Sequence, residues 1–449
     1  MSETIVIKQG LDIKLLGEAE KNITEIEAGC YAVKPTDFPG VFPKLLVAEG
    51  DQVKAGTSLF FDKYRENIHF SSPVSGTIKE IRRGAKRVVL EIMVTADSQN
   101  AYEDFGKADP STLDREKIIE KLLKSGVWPM IKQRPYSVIA NPTDKPKAIF
   151  ISAFDSSPLA PDYNFIVEKY SKEFQTGINA LAKLTAGKIH LNLKAGNQAS
   201  KVFTACANVQ VNYFKGPHPA GNVGIQINKI DPINKGETVW VLRPQEVLTI
   251  GRLFLEGRYN AERIVAFTGS EVLKPRYFKT KVGACLHKFS EGNIKPGKLR
   301  IISGNPLTGT KIDRDGYIGF YHSQVTVIPE GDYFEFLGWA MPSLNKFSFS
   351  KTFFSWLTPK RKYRLDTNLN GGHRAFVMTG EYEKVFPMNI YPMQLLKAIL
   401  VKDIDLMENL GIYEVDEEDF ALCEFIDASK TEMQAIVREG LDYIRKEMN

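Results

Sequence analysis

The residue types that most often carry redox or metal chemistry are few and scattered in this 449-residue chain. Its cysteines, Cys30, Cys206, Cys285 and Cys423, lie far apart, so no C-x2-C pair exists to hold zinc or an iron–sulfur cluster, and no disulfide framework is expected. The histidines, His69, His190, His218, His287, His322 and His373, are equally dispersed. None belongs to an H-x-x-E or H-x-x-x-H pair that would set two ligands on one helical face. Two segments do concentrate functional types. In Gly216-Pro217-His218-Pro219-Ala220-Gly221 an imidazole is framed by prolines and glycines, a rigid loop able to present His218 to a bound ligand or to a partner. The other reading is a tight connection that only needs those backbone angles. From Lys346 to Arg364, six basic residues (Lys346, Lys351, Lys360, Arg361, Lys362, Arg364) mix with Phe347, Phe349, Phe353, Phe354, Trp356 and Tyr363, without one acidic residue. Such a stretch suits an anionic bilayer surface or the cytoplasmic face of a membrane partner. It also suits a connector whose aromatics pack on a neighbouring domain.

Composition narrows the class. With 43% hydrophobic and 25% charged residues the chain is ordinary globular material, too long for one core. A net charge of +5, from 59 basic against 54 acidic residues, does not argue for nucleic acid. The N-terminus has no apolar signal region and no stretch approaches 18 uncharged apolar residues, so neither a signal peptide nor a membrane span is expected, and the cytoplasm is the default compartment.

Around these motifs, β-branched runs broken by glycine fill residues 1 to about 100 and predict a small β-barrel or sandwich. A helix is expected over Ser111–Lys124, opened by Ser111 and Asp114 in capping-box spacing. Strands at 147–152, 188–193 and 237–242 alternate with a helix over Tyr163–Ala186 and another from about Pro244 to Glu256, which argues for a largely parallel sheet. Strands and glycine turns return from Arg263 to about Pro329. Residues 345–375 read as a linker and 385–449 as helical, the last helix starting at Ser429 with Glu432 in a second capping box.

Within the first domain, Leu46-Val47-Ala48-Glu49-Gly50-Asp51-Gln52-Val53 through Phe60 and Ser72-Pro73-Val74-Ser75-Gly76-Thr77-Ile78 resemble the two halves of the biotinyl/lipoyl hammerhead. In carriers of that family a lysine on the intervening hairpin is acylated. Arg65 stands at that place here, with Lys63 nearby, and a guanidinium cannot be acylated as an amine can.

The order of hammerhead, α/β domain, small β-domain and helical tail is similar to two related families, the C subunit of the Rnf complex and the A subunit of the sodium-translocating NADH:quinone reductase. Arg263–Gly269 through Asn305–Gly309 looks like the β-grasp domain of the soluble-ligand-binding (SLBB) type found in that group. The resemblance implies an α/β multidomain chain: a hammerhead over 1–105, a Rossmann-like α/β domain over 106–258, a β-grasp domain over 259–335, a basic-aromatic linker over 336–375 and a helical domain over 376–449. In flavin-binding relatives a glycine-rich loop follows the first helix of the α/β domain. The matching stretch here, Ser125 to Pro135, has glycine only at Gly126, and Trp128 would fill the phosphate's space. The Rnf subunit carries two four-cysteine clusters in its tail. At the matching positions this chain has Phe376, Thr379, Tyr382 and Phe386, then Glu417, Phe420, Cys423 and Asp427, and one soft ligand cannot hold a cluster. Gly216–Gly221 resembles the loop characteristic of the sodium-translocating family, whose reaction ends on quinone, and the resemblance makes Gly216, Pro217, His218, Pro219 and Gly221 a candidate quinone or partner loop. Membership implies a peripheral subunit on the cytoplasmic side of the bacterial inner membrane, docked on integral-membrane subunits and without a tightly held cofactor. It implies FAD, FMN, iron–sulfur centres and quinone on or near other subunits, and a share in quinone access. The rival readings are a self-contained flavin-dependent NADH dehydrogenase and a lipoyl- or biotin-type carrier.

Overall fold

The computed structural model describes residues 4–448 apart from 197–198, 339–340, 342 and 378–379. Residues 30–96 build the barrel from a four-stranded sheet, in the order Cys30–Val33, Val89–Ala96, Gly76–Arg83 and Gln52–Val53, and a three-stranded sheet of Pro43–Leu45, Ser58–Asp62 and Arg65–Ser71. Between them Phe60 stacks on Phe70 with ring centroids 4.3 Å apart, and Leu59, Ile68, Ile78 and Ile92 are buried around the pair. Gly76 is required where the strands meet, because a Cβ there would lie 1.9 Å from the Thr95 carbonyl oxygen.

The first two strands, expected inside the barrel, are found elsewhere. Thr4–Val6 runs parallel to Gln210–Lys215 in the α/β sheet, and Glu20–Glu25 runs parallel to Arg276–Lys281 in the β-grasp sheet. Most of their side chains are exposed, so these segments offer main-chain hydrogen bonds to open sheet edges rather than an apolar face to a barrel core.

Alternating strands and helices give a mainly parallel sheet, as the pattern predicted. Its order is Thr4–Val6, Gln210–Lys215, Lys188–Lys194, Ala148–Ser152, Val239–Leu242, Lys132–Arg134 and Val138–Ile139, with the first five parallel and Lys132–Arg134 antiparallel to its neighbour. Both faces are covered. Ile149, Ile151, Trp240 and Leu242 belong to the large core cluster, whereas the alternate residues Ala148, Phe150, Val239 and Val241 pack with Ile227 and Ile233 on the other side. Helix Pro244–Glu256 forms as expected and ends at Gly257 with φ 73°.

Three helix boundaries differ from expectation. The first helix begins at Arg115, because Asp114 is the residue whose carboxylate accepts the Lys117 N–H, while Ser111 lies in a preceding 3-10 turn. The single helix expected over Tyr163–Ala186 is two, Tyr163–Val167 and Ser171–Ala182. At the break Tyr170 turns out of helical geometry; its hydroxyl donates to Glu262 and its ring lies under the Arg252 guanidinium. The last helix spans Met433–Met448, not Ser429 onward, because the Asp427 carboxylate takes the N–H groups of Ser429 and Thr431 in a turn that competes with a cap.

The β-grasp sheet follows the order Thr310–Ile312, Leu299–Ser303, Gln324–Pro329, Glu262–Thr268, Arg276–Lys281 and Glu20–Glu25. Helices Pro392–Leu400, Ile404–Asn409, Ala421–Ile426 and Met433–Met448 close the chain around a separate apolar cluster that also takes in Ile7, Phe154, Phe214 and Ile225 from the α/β side. The helical domain is therefore packed onto the α/β domain through shared core.

Candidate functional site

From Ala148–Ser152 the chain steps outward to Lys188–Lys194 and Gln210–Lys215, then returns to lay Val239–Leu242 on the other side of its starting strand. That reversal is a topological switch point, where the C-terminal ends of adjacent parallel strands diverge into a crevice. A cleft enclosing about 890 Å³ of empty space, its mouth included, opens there. The end of Ala148–Ser152 contributes Phe154, Asp155 and Ser157, and the end of Val239–Leu242 contributes Arg243; Tyr163 and Tyr321 close the sides.

The loop singled out from sequence lies in this cleft. His218 and Gly221 line it, and His218 is 4% exposed. Ser156 ties the loop down: its hydroxyl accepts the Gly221 N–H at 2.8 Å and lies 3.0 Å from His218 Nδ1. With the serine proton directed to Nδ1, the imidazole carries its own proton on Nε2. The N-terminal segment braces the other side, since Asp12 accepts the His218 N–H and Leu11 donates to the His218 carbonyl. Burial pushes His218 down to about 4, against the pull of Asp155 and Asp12, so the ring is neutral near pH 7. Of the remaining residues proposed for that loop, Gly216 packs on the Ile7 carbonyl and Pro217 touches Gly10.

Polar groups in the cleft are left without partners. The Tyr163 hydroxyl and the Ser157 hydroxyl are buried and make no hydrogen bond among the described residues. Burial also raises Tyr163, so the phenol keeps its proton as a donor. Arg243 donates to the Tyr321 carbonyl at 3.3 Å and stands at the start of Pro244–Glu256.

Across the cleft a short acidic turn of the helical domain, Asp416 to Asp419, meets the α/β sheet edge. Arg134, 2% exposed, has Nη2 at 3.0 Å from Asp416 and 2.9 Å from Glu418, and Nη1 at 3.5 Å from Asp419. Asp419 rests on the first turn of helix Val223–Ile230, and Asn222 donates to the Glu418 carbonyl. A helix N-terminus and a buried arginine form a ready anion site, and the chain's own carboxylates fill it. Burial raises Asp419 to about 7 and Glu417 to about 8, whereas Asp416, with Arg134 and Lys132 beside it, is held below the usual carboxylate range despite its burial. Charge around the cleft is thus largely compensated internally.

The residues at the flavin-loop position do not fit a flavin. Trp128 is fully buried in a 3-10 turn, its indole donates to the Ala140 carbonyl at 2.8 Å, and it packs edge-on against Trp240. Strand Lys132–Arg134 follows at once and pairs with Val239–Leu242, leaving no open loop of N–H groups. The positions matched to cluster ligands pack on one another instead. Phe386 and Phe420 are 4.9 Å apart, Tyr382 donates to Asp427 at 2.7 Å, and Cys423 is a buried thiol whose surroundings raise its pKa. Thr379 lies outside the described residues. In the hammerhead hairpin, Arg65 pairs with Asp62 at 2.8 Å and donates to the Ile139 carbonyl, which fixes it against the α/β domain.

The basic-aromatic stretch divides into a packed and a free part. Phe353 and Tyr363 are buried, Arg364 pairs with Glu271 at 2.6 Å and Lys362 with Glu18 at 3.1 Å. Phe354, Trp356 and Leu357 are exposed, as are Lys351, Lys360 and Arg361. Phe334 and Phe336, upstream of Lys346, are the most exposed large apolar residues described. Sequence reading also missed Tyr163, Arg243, Ser156 and Arg134. Arg243 carried a usable signal, since it directly follows a strand and precedes a helix.

Together these units form a barrel, a mainly parallel α/β sheet, a β-grasp sheet and a helical domain, with aromatic packing at the positions matched to flavin and cluster sites. Comparison with known proteins makes the family particular. Domain models match three stretches: the NqrA N-terminal barrel-sandwich hybrid domain over residues 5–97, the NqrA second alpha/beta domain over 113–259 and the NQRA C-terminal domain over 264–314. The A subunit of the Na(+)-translocating NADH-quinone reductase of Yersinia pestis bv. Antiqua (strain Angola) is 38% identical over 449 residues, 99% of this chain and 100% of that protein. Its counterpart from Vibrio anguillarum is 37% identical over 452 residues at the same coverage. The chain belongs to the NqrA family, the A subunits of Na(+)-translocating NADH-quinone reductases. Among solved structures, the NAD+-reducing [NiFe]-hydrogenase in the air-oxidized state is similar at 10% identity and TM-score 0.40, over 74% of this chain and 61% of that one. No helix among the described residues is long and apolar enough to cross a membrane.

Proposed function

We propose that this chain is the peripheral, cytoplasmic-side subunit of a sodium-pumping NADH:quinone reductase and that its switch-point cleft receives a quinone ring. The FAD, FMN and iron–sulfur centres belong on this reading to other subunits. The observation that carries it is the unpartnered Tyr163 hydroxyl, buried beside Ser157, the His218 imidazole and the Arg243 guanidinium. The Tyr163 and Ser157 hydroxyls are donors without acceptors among the described residues, the complement of a ring carrying carbonyl oxygens. With Arg134 already neutralised by the acidic turn, a neutral ligand fits better than a phosphate. Phe154, Tyr321 and Leu242 supply apolar lining.

Titration of the purified chain with a short-chain ubiquinone, read by tryptophan fluorescence and by chemical shifts, tests this. Saturable binding is expected, weakened about tenfold by Tyr163→Phe, the loss of roughly one hydrogen bond to a buried group. Binding that is absent, or indifferent to Tyr163→Phe and Arg243→Gln, would reject the cleft as the quinone site.

Docking on the integral-membrane subunits is assigned to the free part of the basic-aromatic stretch. Phe354, Trp356 and Leu357 present aromatic and aliphatic surface next to Lys351, Lys360 and Arg361, the combination that settles at a headgroup boundary or on the basic-accepting face of a membrane protein.

A further inference from the structure

Cys30 and Cys285 are remote in sequence, but the fold sets them opposite one another. Tyr31 and Ala284 form an antiparallel bridge, flanked by hydrogen bonds from Ala32 N–H to the Gly283 carbonyl at 2.8 Å and from Cys285 N–H to the Cys30 carbonyl at 3.0 Å. With residue 31 facing 284, antiparallel register places 30 across from 285, with both side chains on one face. A second contact fixes that face. Cys285 bridges Tyr317 on its other side, and the Tyr317 hydroxyl lies 3.3 Å from Cys30 Sγ. A phenol rooted beside Cys285 touches Cys30 only by crossing the Cys285 position on the shared face. Directly opposed residues have Cα atoms roughly 4.5–5.5 Å apart, inside the window of about 4.4–6.8 Å that a disulfide spans.

We propose that Cys30 and Cys285 are a reversible oxidation site, closing as a disulfide between the barrel and the β-grasp domain. Both are free thiols in this structure. The co-reactant is a low-molecular-weight disulfide. A protein thiolate attacks one of its sulfurs and expels one small thiolate; the second protein thiolate then attacks the mixed disulfide and expels the other. One protein S–S bond forms, the reagent's S–S bond breaks, and the two thiol protons end on the two released thiols. The protein loses two electrons and the reagent gains them. Cys30, the more exposed of the two, takes the first step, since burial raises the Cys285 thiol. Closure needs each sulfur to leave its present partner, the Tyr317 hydroxyl for Cys30 and the Asp315 carbonyl, 3.2 Å away, for Cys285.

The test is incubation of the native full-length chain with glutathione disulfide, followed by intact mass and non-reducing peptide mapping. The expected product has lost two hydrogens, yields a linked peptide pair containing Cys30 and Cys285, and reverts with dithiothreitol. Cys285→Ser is expected to stop at a single glutathione adduct on Cys30. A native chain that stops at the glutathione adduct, stays unmodified at both residues, or links either of them to Cys206 or Cys423 would overturn the proposal. Because the wild-type map decides alone, a serine variant that folds poorly does not blunt the test.

Discussion

Gly224 lies under Asp419: a methyl group added to Gly224 would meet Asp419 Oδ2 at 2.5 Å, so the helical domain is seated on the first turn of an α/β helix. Inside a helix alanine is favoured over glycine by roughly 1 kcal/mol. Gly224→Ala is nonetheless expected to lower the urea midpoint, because Asp419 must move off its seat. Combining it with Asp419→Ala should recover part of the loss, a coupling that a double-mutant cycle reads directly.

Arg134 holds three carboxylates from a buried position. Removing one side of such a network leaves uncompensated charge, and Arg134→Met is expected to cost about 3–5 kcal/mol by urea unfolding. Adding Asp416→Asn should restore stability. If Arg134→Met is as stable as the parent, the acidic turn is held by packing alone.

His190 is 5% exposed, stacked on Phe150 at 4.6 Å, and lowered to about 4 mainly by burial. The folded state therefore binds fewer protons at this residue than the unfolded state between about pH 4 and pH 6.5. Its contribution is complete above 6.5 and falls as pH drops toward 4. Relative to the parent, His190→Gln should look about 2 kcal/mol better at pH 5 than at pH 7.5. Chemical denaturation at the two pH values checks this, and the difference cancels groups common to both proteins.

Much of this was legible in sequence where local pattern and tertiary role agree. Pro244–Glu256 has its proline, its apolar stripe and its terminal glycine, and it forms. The Gly216–Gly221 loop drew notice for its composition and does line the cleft, but its chemistry was not readable, because Ser156, Tyr163 and Arg243 come to His218 only through the strand order. Likewise Asp416, Glu418 and Asp419 gave no sign in sequence that they face Arg134. The pairing of Thr4–Val6 was hidden for another reason: an edge strand contributes main chain, which leaves little trace in side-chain pattern.

Within the basic-aromatic stretch the structure separates two kinds of aromatic. Phe354 and Trp356 are exposed and Phe353 is buried. Changing Phe354 and Trp356 to serine should leave the thermal midpoint within a degree or two, as exposed substitutions do, while reducing recovery of the chain with the membrane complex on affinity purification. Phe353→Ser should do the reverse, lowering the midpoint. If both variants remain bound equally well, docking lies elsewhere, with Phe334 and Phe336 the next surface to alter.

The first strands of the chain bind partners made about 200 residues or more later. Thr4–Val6 waits for Tyr213–Lys215, and Glu20–Glu25 for Arg276–Lys279. During synthesis at about 5–20 residues per second, the N-terminal segment spends many seconds outside the ribosome before either sheet edge exists. The barrel can close behind it, but the loop at His218, which Leu11 and Asp12 brace, cannot acquire its final shape until that early segment comes back to it. Cleft formation is thus a late event, set by the return of the chain's beginning rather than by the local sequence of the loop.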